Sequence, residues 1–263
     1  MTDELLIRED ADGVAHLTMN APAKLNALSN AMLGALQNSF DAISQDTSVK
    51  AVILSGAGKA FCAGHDLKEM TAARQSEDGG KAAFTSLFDT CARMMLTIQK
   101  MPQPVIAQVH GIATAAGCQL VASCDLAVAA EGTRFGVNGV NIGLFCSTPM
   151  VALSRNIPRK QAFEMLTTGE FIEATRAREM GLINRIAKPD ALAEETRALA
   201  EHLATKLGAA VRIGKRAFYE QAEMSVEEAY SYASAVMTEN MGFRDTEEGI
   251  AAFLEKRPPD WKD

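Results

Sequence analysis

The sequence has few residues of the kinds that build metal sites or disulfide frameworks. It contains four histidines and five cysteines, and the cysteines are Cys62, Cys91, Cys118, Cys124 and Cys146. Their number is odd and no Cys-x-x-Cys pair occurs, which argues against a zinc ribbon and a disulfide scaffold. Cys91 and Cys124 lie among apolar residues and are interpreted as reduced core thiols. We therefore expect no bound metal and a reducing compartment.

Long apolar runs and an excess of positive charge are also absent. No run approaches the roughly 20 residues that cross a bilayer, and residues 1–10 are acidic without the apolar core of a signal peptide. The 26 Lys and Arg against 33 Asp and Glu give a net charge of −7, which disfavours nucleic acid as a partner. These features predict a cytoplasmic protein that binds neither membranes nor nucleic acid.

Common nucleotide and hydrolase motifs fail as well. The Gly-Ala-Gly-Lys run at 56–59 follows an apolar strand, but a P-loop would need Gly at Ile53 and Ser or Thr at Ala60. A dinucleotide fingerprint would need Gly at Phe61. Neither His-Glu-x-x-His nor Gly-x-Ser-x-Gly occurs. A nucleotide-dependent enzyme is therefore the least favoured of three functional hypotheses.

Strand and helix patterns alternate along the first part of the chain. Apolar runs predict strands at 14–19, 52–54, 105–109 and 126–130, and helical spacing predicts helices at 28–46, 82–101 and 116–124, with a polar loop at 71–81. Beyond Pro189 only helices are predicted, at 191–207, 210–223, 226–241 and 247–256. This order predicts an α/β core with a largely parallel sheet over residues 1–190. A helical module over 191–263 follows, with apolar surface for a partner subunit.

Two glycine-bearing turns are the most informative local feature. Each follows an apolar strand and opens a helix, within residues 51–70 and 105–125. Turns built from Gly and Ala leave backbone N–H groups uncovered, and the first N–H groups of a helix lack partners within it. Two such donors aimed at one point stabilise a developing oxyanion. The pattern therefore indicates chemistry on a carbonyl group.

An ordered set of segments resembles the enoyl-CoA hydratase/isomerase (crotonase) superfamily over nearly the whole chain. The segments are residues 22–28, 61–70, 111–120 with Cys124 and Asp125, 135–136, 174–183 and 248–257. Residues 113–125 and 143–148 are similar to the subgroup of enoyl-CoA hydratase domain-containing protein 3. The resemblance implies an α/β crotonase-like spiral of β-β-α repeats with a C-terminal helical oligomerisation module. It also implies a homotrimer or a dimer of trimers.

The resemblance further implies an acyl-CoA thioester as ligand, with coenzyme A as part of the substrate and no permanently bound cofactor. The N–H groups of His65 and Ala116 would hold the thioester oxygen. Position 116 is usually Gly in the family, and Ala keeps the N–H group if its φ is negative. The residues implied in binding coenzyme A are Ala23, Lys24, Leu25, Ala63, Asp66 and Leu67, with Phe253 and Lys256 from a neighbouring subunit. Asp66 is also a candidate helix cap, and Lys256 is equally a candidate solvated lysine.

The two carboxylates that the family's hydratases use for proton transfer are missing. Their positions hold Gln119 and Gly139, and neither residue exchanges a proton near neutral pH. We therefore expect weak hydratase activity, and expect Gln119→Glu with Gly139→Glu to raise it. Asn138 and Asn141 flank Gly139 and are interpreted as turn-forming residues, with Asn141 a weak catalytic candidate. Cys146 is interpreted as an inert thiol.

Three hypotheses follow for the function. The first is an enzyme that stabilises a thioester enolate, for which decarboxylation of a malonyl-type CoA thioester suits Gln119 and Gly139 better than hydration. The second is a non-catalytic acyl-CoA-binding or regulatory protein. The third is the nucleotide-dependent enzyme already disfavoured.

Overall fold

The computed structural model describes residues 4–262 and contains a large sheet and a small sheet. The strands are β1 (Leu6–Ala11), β2 (Val14–Met19), β3 (Ala51–Gly56), β4 (Val105–Val109), β5 (Ile112–Thr114), β6 (Leu126–Ala130), β7 (Arg134–Gly136), β8 (Ile172–Glu173) and β9 (Arg185–Ala187). Six strands form the large sheet in the order β1-β2-β3-β4-β6-β9, and the small sheet has the order β5-β7-β8. Among the described strands, only β1 with β2 and β7 with β8 pair antiparallel, so the largely parallel sheet is confirmed.

Helices follow most of the strands and continue alone after β9. They are α1 (Asn30–Ser44), α2 (Leu67–Ala73), α3 (Lys81–Lys100), α4 (Ala116–Ser123), α5 (Ser147–Asn156), α6 (Arg159–Thr168), α7 (Ala174–Met180), α8 (Leu192–Ala204), α9 (Gly208–Gln221), α10 (Val226–Met241) and α11 (Arg244–Glu255). Among the described residues, no helix is both long and apolar enough to cross a bilayer. The predicted mixed α/β class with C-terminal helices is confirmed.

Burial on both faces explains why the central strands are continuously apolar. Ala51, Val52, Ile53 and Leu54 of β3 are all buried, because helices cover both sides of the large sheet. On one side, α1 begins at the N-cap Ser29, whose hydroxyl accepts a hydrogen bond from the N–H of the third helical residue. Its buried residues pack into the main core: Met32, Leu33, Leu36, Phe40 and Ile43.

The other side of the sheet is covered by the first helix of the C-terminal segment. Leu192, Leu199 and Ala200 of α8 pack with Ile53 and Val128 in a second cluster. This contact ties α8 to the sheet although it lies beyond residue 190, and the boundary at 190 stays a prediction. By contrast, α10 buries none of its residues within the single chain. The oligomeric role of these helices also stays a prediction.

Several elements differ from the sequence predictions. β1 is an additional edge strand, and its burial falls from Leu6 to the exposed Ala11. The predicted loop at 71–81 is partly wrong, because α2 extends to Ala73 and α3 begins at Lys81. Between them Asp78 accepts hydrogen bonds from the N–H groups of Gly80 and Ala82, which order the turn. The short strands β5, β7, β8 and β9 and the helices α5–α7 were not predicted.

Candidate active site

The two glycine-bearing turns lie against each other. Cys62 N–H donates to Ile112 O at 3.2 Å and Thr114 N–H donates to Cys62 O at 3.0 Å, so the chain before α2 runs beside β5. A Cβ atom on Gly64 would lie 3.0 Å from the Cβ of Ala115 and 3.4 Å from Ala116 N. With φ at +88°, Gly64 adopts a conformation that other residues rarely adopt. A glycine at this position therefore allows the turns to approach closely.

The approach brings two unpaired backbone donors to one cavity. His65 follows Gly64 directly, Ala116 is the first residue of α4, and both line the cavity. Within residues 4–262, neither of these two N–H groups donates a hydrogen bond to a protein acceptor. Ala115 before the helix has φ +50° and ψ −119°, whereas Ala116 is not among the residues with positive φ. The backbone condition for Ala in place of Gly at position 116 is met, and its role as an oxyanion donor stays a prediction.

The cavity has a volume of about 360 Å³ and mostly apolar walls. Its large apolar residues are Leu67, Met70, Phe88, Ile142, Leu144, Phe145 and Pro149, and its polar residues are His65, Thr114, Asn138, Cys146, Ser147 and Thr148. None of the lining residues is Asp, Glu, Lys or Arg. The cavity therefore suits an uncharged acyl group, and it offers no carboxylate for proton transfer.

The positions of the missing carboxylates differ in their surroundings. Gly139 lines the cavity, but Leu144 O and Cys146 Sγ lie 2.2 and 2.9 Å from where its Cβ would stand. Gly139→Glu would therefore require the backbone at Leu144 to shift, which argues against a gain in hydration, and the outcome of this substitution stays a prediction. Gln119 is 4% exposed, does not line the cavity, and its Oε1 has no partner among the described residues.

Asn141 holds the loop that closes over Gly139. Its Nδ2 donates to Gly169 O at 3.2 Å, and its side chain packs where a Cβ on Gly169 would stand. Asn141 does not line the cavity. Its structural contact is with the residue that ends α6, and a catalytic role stays a prediction.

The segment implied in coenzyme A binding lies at one side of the cavity. Ala63 and Leu67 line the cavity, and Ala63 N–H donates to Leu25 O at 3.0 Å. Lys24 Nζ lies 3.3 Å from Asp66 Oδ2, with the Lys24 side chain exposed. Ala23 belongs to the same 3₁₀ turn, Pro22–Lys24. The structure thus brings this predicted set together beside the two donors.

Asp66 also caps α2, as the helix-cap interpretation predicts. Its Oδ1 accepts hydrogen bonds from the N–H groups of Lys68 and Glu69 at 2.9 and 3.3 Å. Burial alone would raise the pKa of Asp66, but these two N–H groups and the Lys24 ammonium hold it below its ordinary value. The carboxylate therefore stays ionised and fixes the start of α2 beside the cavity.

Phe253 and Lys256 do not join the cavity of their own chain. They lie at the end of α11, where Phe253 is 82% exposed and Lys256 ends the helix with φ +55°. Their contribution to a neighbouring subunit's site stays a prediction.

The side chains of His65 and Cys146 face apolar surroundings. His65 Nδ1 lies 3.4 Å from Leu28 O, its ring meets Phe88 edge to face at 5.6 Å, and its Nε2 has no partner in the described part of the chain. Burial lowers the pKa of His65 and raises the pKa of the Cys146 thiol. Both groups are therefore neutral near pH 7, which agrees with Cys146 as an inert thiol.

Sequence reasoning named Asn138 beside Gly139 but missed its pairing with Thr114 in the cavity. Thr114 Oγ1 donates to Asn138 Oδ1 at 2.6 Å, and both residues line the cavity. The available signal was the position of Thr114, two residues before Ala116 in the second turn. The partner Asn138 is brought there by the parallel pairing of β5 with β7, which a single sequence does not reveal.

Comparisons with known proteins bear on the family and the fold of this chain. The family model for enoyl-CoA hydratase/isomerase matches residues 9–263. A crystal structure of enoyl-CoA hydratase from Mycobacterium smegmatis superposes with a TM-score of 0.95 at 53% identity, covering 99% of this chain and 100% of that one. The crystal structure of human enoyl-CoA hydratase domain-containing protein 3 gives a TM-score of 0.93 at 43% identity, covering 98% of this chain and 100% of that one.

Sequence comparison places the same human protein among the relatives. Its full sequence is 45% identical over 250 residues, which cover 95% of this chain and 81% of the relative. That relative is named as mitochondrial, and the cytoplasmic location of the present protein stays a prediction. The predicted resemblance is confirmed: the chain belongs to the enoyl-CoA hydratase/isomerase family.

Proposed function

We propose that this protein binds acyl-CoA thioesters and stabilises negative charge on the thioester oxygen with the N–H groups of His65 and Ala116. The observation that carries the proposal is the pair of unpaired N–H groups at one cavity wall, held together by the close approach of Gly64 to Ala115. Such preorganised donors favour an enolate over the neutral thioester. Membership of the enoyl-CoA hydratase/isomerase family supports a thioester as the ligand.

The proposed reaction class is enolate chemistry with little hydration. Positioned acid–base groups contribute on the order of 10² to 10⁴ each in rate, and the cavity is lined by no carboxylate. The absence of a carboxylate from the cavity lining also favours a second candidate, a non-catalytic acyl-CoA-binding protein. A malonyl-type thioester carries a free carboxylate, and no cationic side chain lines the cavity to pair with it. We therefore include malonyl-CoA among the tested ligands, so that its binding and its decarboxylation are both measured.

Two ligands that differ only in the thioester carbonyl measure how much the two N–H groups contribute to binding. Butyryl-CoA carries the thioester carbonyl, and S-butyl-CoA is the thioether without it. We expect calorimetry to show butyryl-CoA binding about tenfold more tightly, because only its carbonyl oxygen accepts from both donors. Equal affinities for the two ligands, or no binding of either by folded protein, would contradict the proposal.

Two glycine variants test the geometry of the donors. In Gly64→Ala the new Cβ would stand 3.0 Å from the Cβ of Ala115, so the two turns would have to move apart by a few tenths of an ångström. In the control Gly132→Ala, φ is also positive at +76°, but no atom lies within 4 Å. Both variants incur the backbone cost of a left-handed alanine. Only Gly64→Ala should reduce the preference for butyryl-CoA over S-butyl-CoA.

Turnover of acetyl-, crotonyl-, butyryl- and malonyl-CoA separates the catalytic from the non-catalytic candidate. An enzyme that forms the enolate by removing a proton with a base exchanges the α-protons of a saturated thioester for deuterium in heavy water. One that forms it by decarboxylation releases CO₂ from malonyl-CoA and leaves acetyl-CoA deuterated at the α-carbon, and mass spectrometry detects both products. Tight binding without exchange, hydration or decarboxylation would leave the binding protein as the function.

A further inference from the structure

The cavity contains a polar pair that the two backbone donors do not use. Thr114 ends β5, and Asn138 begins the 3₁₀ turn Asn138–Ile142 after β7. The hydroxyl of Thr114 donates to Asn138 Oδ1 at 2.6 Å. With the hydroxyl as donor, Oδ1 is the end of the Asn138 carboxamide that faces Thr114, and Nδ2 is the other end.

The other end of the carboxamide is free to bind. Within the described chain, Asn138 Nδ2 donates to no protein acceptor. Asn138 is half-buried and lines the cavity, and its Nδ2 is not among the fully enclosed atoms that lack a partner. The structure therefore presents an oriented N–H donor on an otherwise largely apolar wall.

Asn138 Nδ2 and the N–H group of Ala116 belong to residues that line the same cavity, so one acyl chain can contact both donors. Thr114 stands two residues before Ala116, a backbone span of at most about 7 Å. Thr114, Ala116 and Asn138 line the same cavity, so a group that hydrogen-bonds Asn138 Nδ2 would belong to the same acyl chain whose thioester oxygen meets Ala116 N–H. The lining residues include no Lys or Arg to pair with a carboxylate, which favours a neutral oxygen at that place.

We propose that Asn138 is a specificity-determining residue that donates a hydrogen bond to a hydroxyl or oxo oxygen near the thioester of the acyl group. Thr114 is its positioning residue, because it holds Oδ1 and leaves Nδ2 available to a ligand in the cavity that both residues line. This inference rests on the proposed function, since it takes the acyl-CoA to bind at His65 and Ala116. It narrows the substrate class to short acyl chains that carry a neutral oxygen substituent.

The test compares butyryl-CoA with the two enantiomers of 3-hydroxybutyryl-CoA by calorimetry. The quantity of interest is the ratio of their dissociation constants in the same protein, so general effects on coenzyme A binding cancel. For the wild type we expect one enantiomer to bind about three- to tenfold more tightly than butyryl-CoA. Chromatography of the recovered ligand checks that it was not dehydrated during the titration.

Asn138→Leu keeps a side chain of similar size and removes the donor, so the ratio should fall to about one. Thr114→Val removes the hydroxyl that orients the carboxamide and should lower the ratio, whereas Thr114→Ser keeps the hydroxyl and should preserve it. A purely structural role for Thr114 would not distinguish ligands that differ by one oxygen. If Asn138→Leu does not fold, Thr114→Val carries the test.

The outcomes separate the two proposals. If folded wild-type protein binds neither butyryl-CoA nor the hydroxylated ligands, the proposed function fails. If butyryl-CoA binds but the wild type shows no preference, or Asn138→Leu retains the preference, only the role of Asn138 is overturned. A wild-type preference that is lost in Asn138→Leu and Thr114→Val and kept in Thr114→Ser supports it.

Discussion

Lys215 Nζ lies 2.7 Å from Asp125 Oδ2, and this buried ion pair joins α9 to the α/β core. The ammonium group also donates to Ile98 O at 2.7 Å and to Gln103 O at 2.8 Å. Tyr219 OH donates to the other carboxylate oxygen at 2.9 Å. Burial lowers the pKa of Lys215 against the opposing effect of Asp125. The helical segment is therefore anchored through a polar network whose members depend on one another.

We expect Lys215→Met to lower the free energy of unfolding by about 3–5 kcal/mol, because it leaves a buried carboxylate without its counter-ion. Tyr219→Phe removes one neutral donor and should cost about 1–2 kcal/mol. Arg176→Met, at an exposed ion pair with Glu179, serves as a control with an effect within about 0.5 kcal/mol. Urea unfolding measures all three, and a loss below about 1 kcal/mol in Lys215→Met would contradict this account.

We expect a substitution at Gly139 to change the stability of the fold. A glutamate there requires its Cβ to stand 2.2 Å from Leu144 O, a backbone atom fixed by the hydrogen bond from Leu144 N–H to Gly139 O at 2.9 Å. We expect Gly139→Glu to destabilise the fold by about 1–3 kcal/mol or more. We also expect it to give no gain in crotonyl-CoA hydration, alone or with Gln119→Glu.

Gly34→Ala is the matched control for this prediction. Gly34 lies inside α1, and no atom lies within 4 Å of the position that an alanine methyl group would take there. Alanine should therefore stabilise the helix by about 0.5–1 kcal/mol. Thermal unfolding measures the stability of both variants, and a crotonyl-CoA hydration assay on the same preparations measures their activity. Full stability of Gly139→Glu together with new hydratase activity would mean that the loop at 139–146 rearranges at little cost.

Elements whose signal lies in their own residues could be predicted from the sequence, and elements that depend on their neighbours could not. β2, β4 and α1 were predictable because their apolar residues follow the period of a buried strand or an amphipathic helix. β1 was missed because its outer residues are polar, and β8 has only two residues. Such short or exposed elements depend on their neighbours and carry little local signal.

The candidate site shows the same division. The two turns were recognisable from their own residues and from the family resemblance. Three contacts in the site could not be predicted. The contact of the turns through Gly64 and the pairing of Thr114 with Asn138 join residues distant in sequence, and the approach of Leu144 to Gly139 depends on loop geometry. No local periodicity encodes these contacts.

Cys146 provides a test of the inert-thiol interpretation. Burial raises its pKa, and burial also raises the pKa of Cys62 and Cys118 to about 12. Because the thiolate is the reactive form, we expect iodoacetamide at pH 8 to alkylate the native protein at least about a hundredfold more slowly than the urea-unfolded protein. Mass spectrometry of peptides should find Cys146 modified first, since it alone of the three lines the cavity. Rapid native-state alkylation of Cys146 would instead indicate an activated nucleophile.

His65 gives the stability of the protein a defined dependence on pH. Burial lowers its pKa from the ordinary value of 6.5, against a smaller opposing effect of Leu28 O. The unfolded chain therefore takes up a proton as the pH falls below about 6.5, whereas the folded protein resists protonation until a lower pH. The unfolded state binds more protons in that interval, so the free energy of unfolding should decrease as the pH falls through it. His65→Asn should make this decrease shallower in urea unfolding series between pH 8 and 5.5.

His16 is the internal comparison for this effect. Burial, and then the charge of Arg197, lower its pKa in the same direction, although it lies in β2 with its Nε2 2.8 Å from Ser55 Oγ. His16→Asn should therefore remove a separate part of the pH dependence, and the double variant should remove both parts additively because the two sites share no hydrogen-bond partner. A His65→Asn series that stays parallel to the wild type would show that the imidazole is as easily protonated in the folded protein as in the unfolded chain, contrary to its burial at the cavity wall.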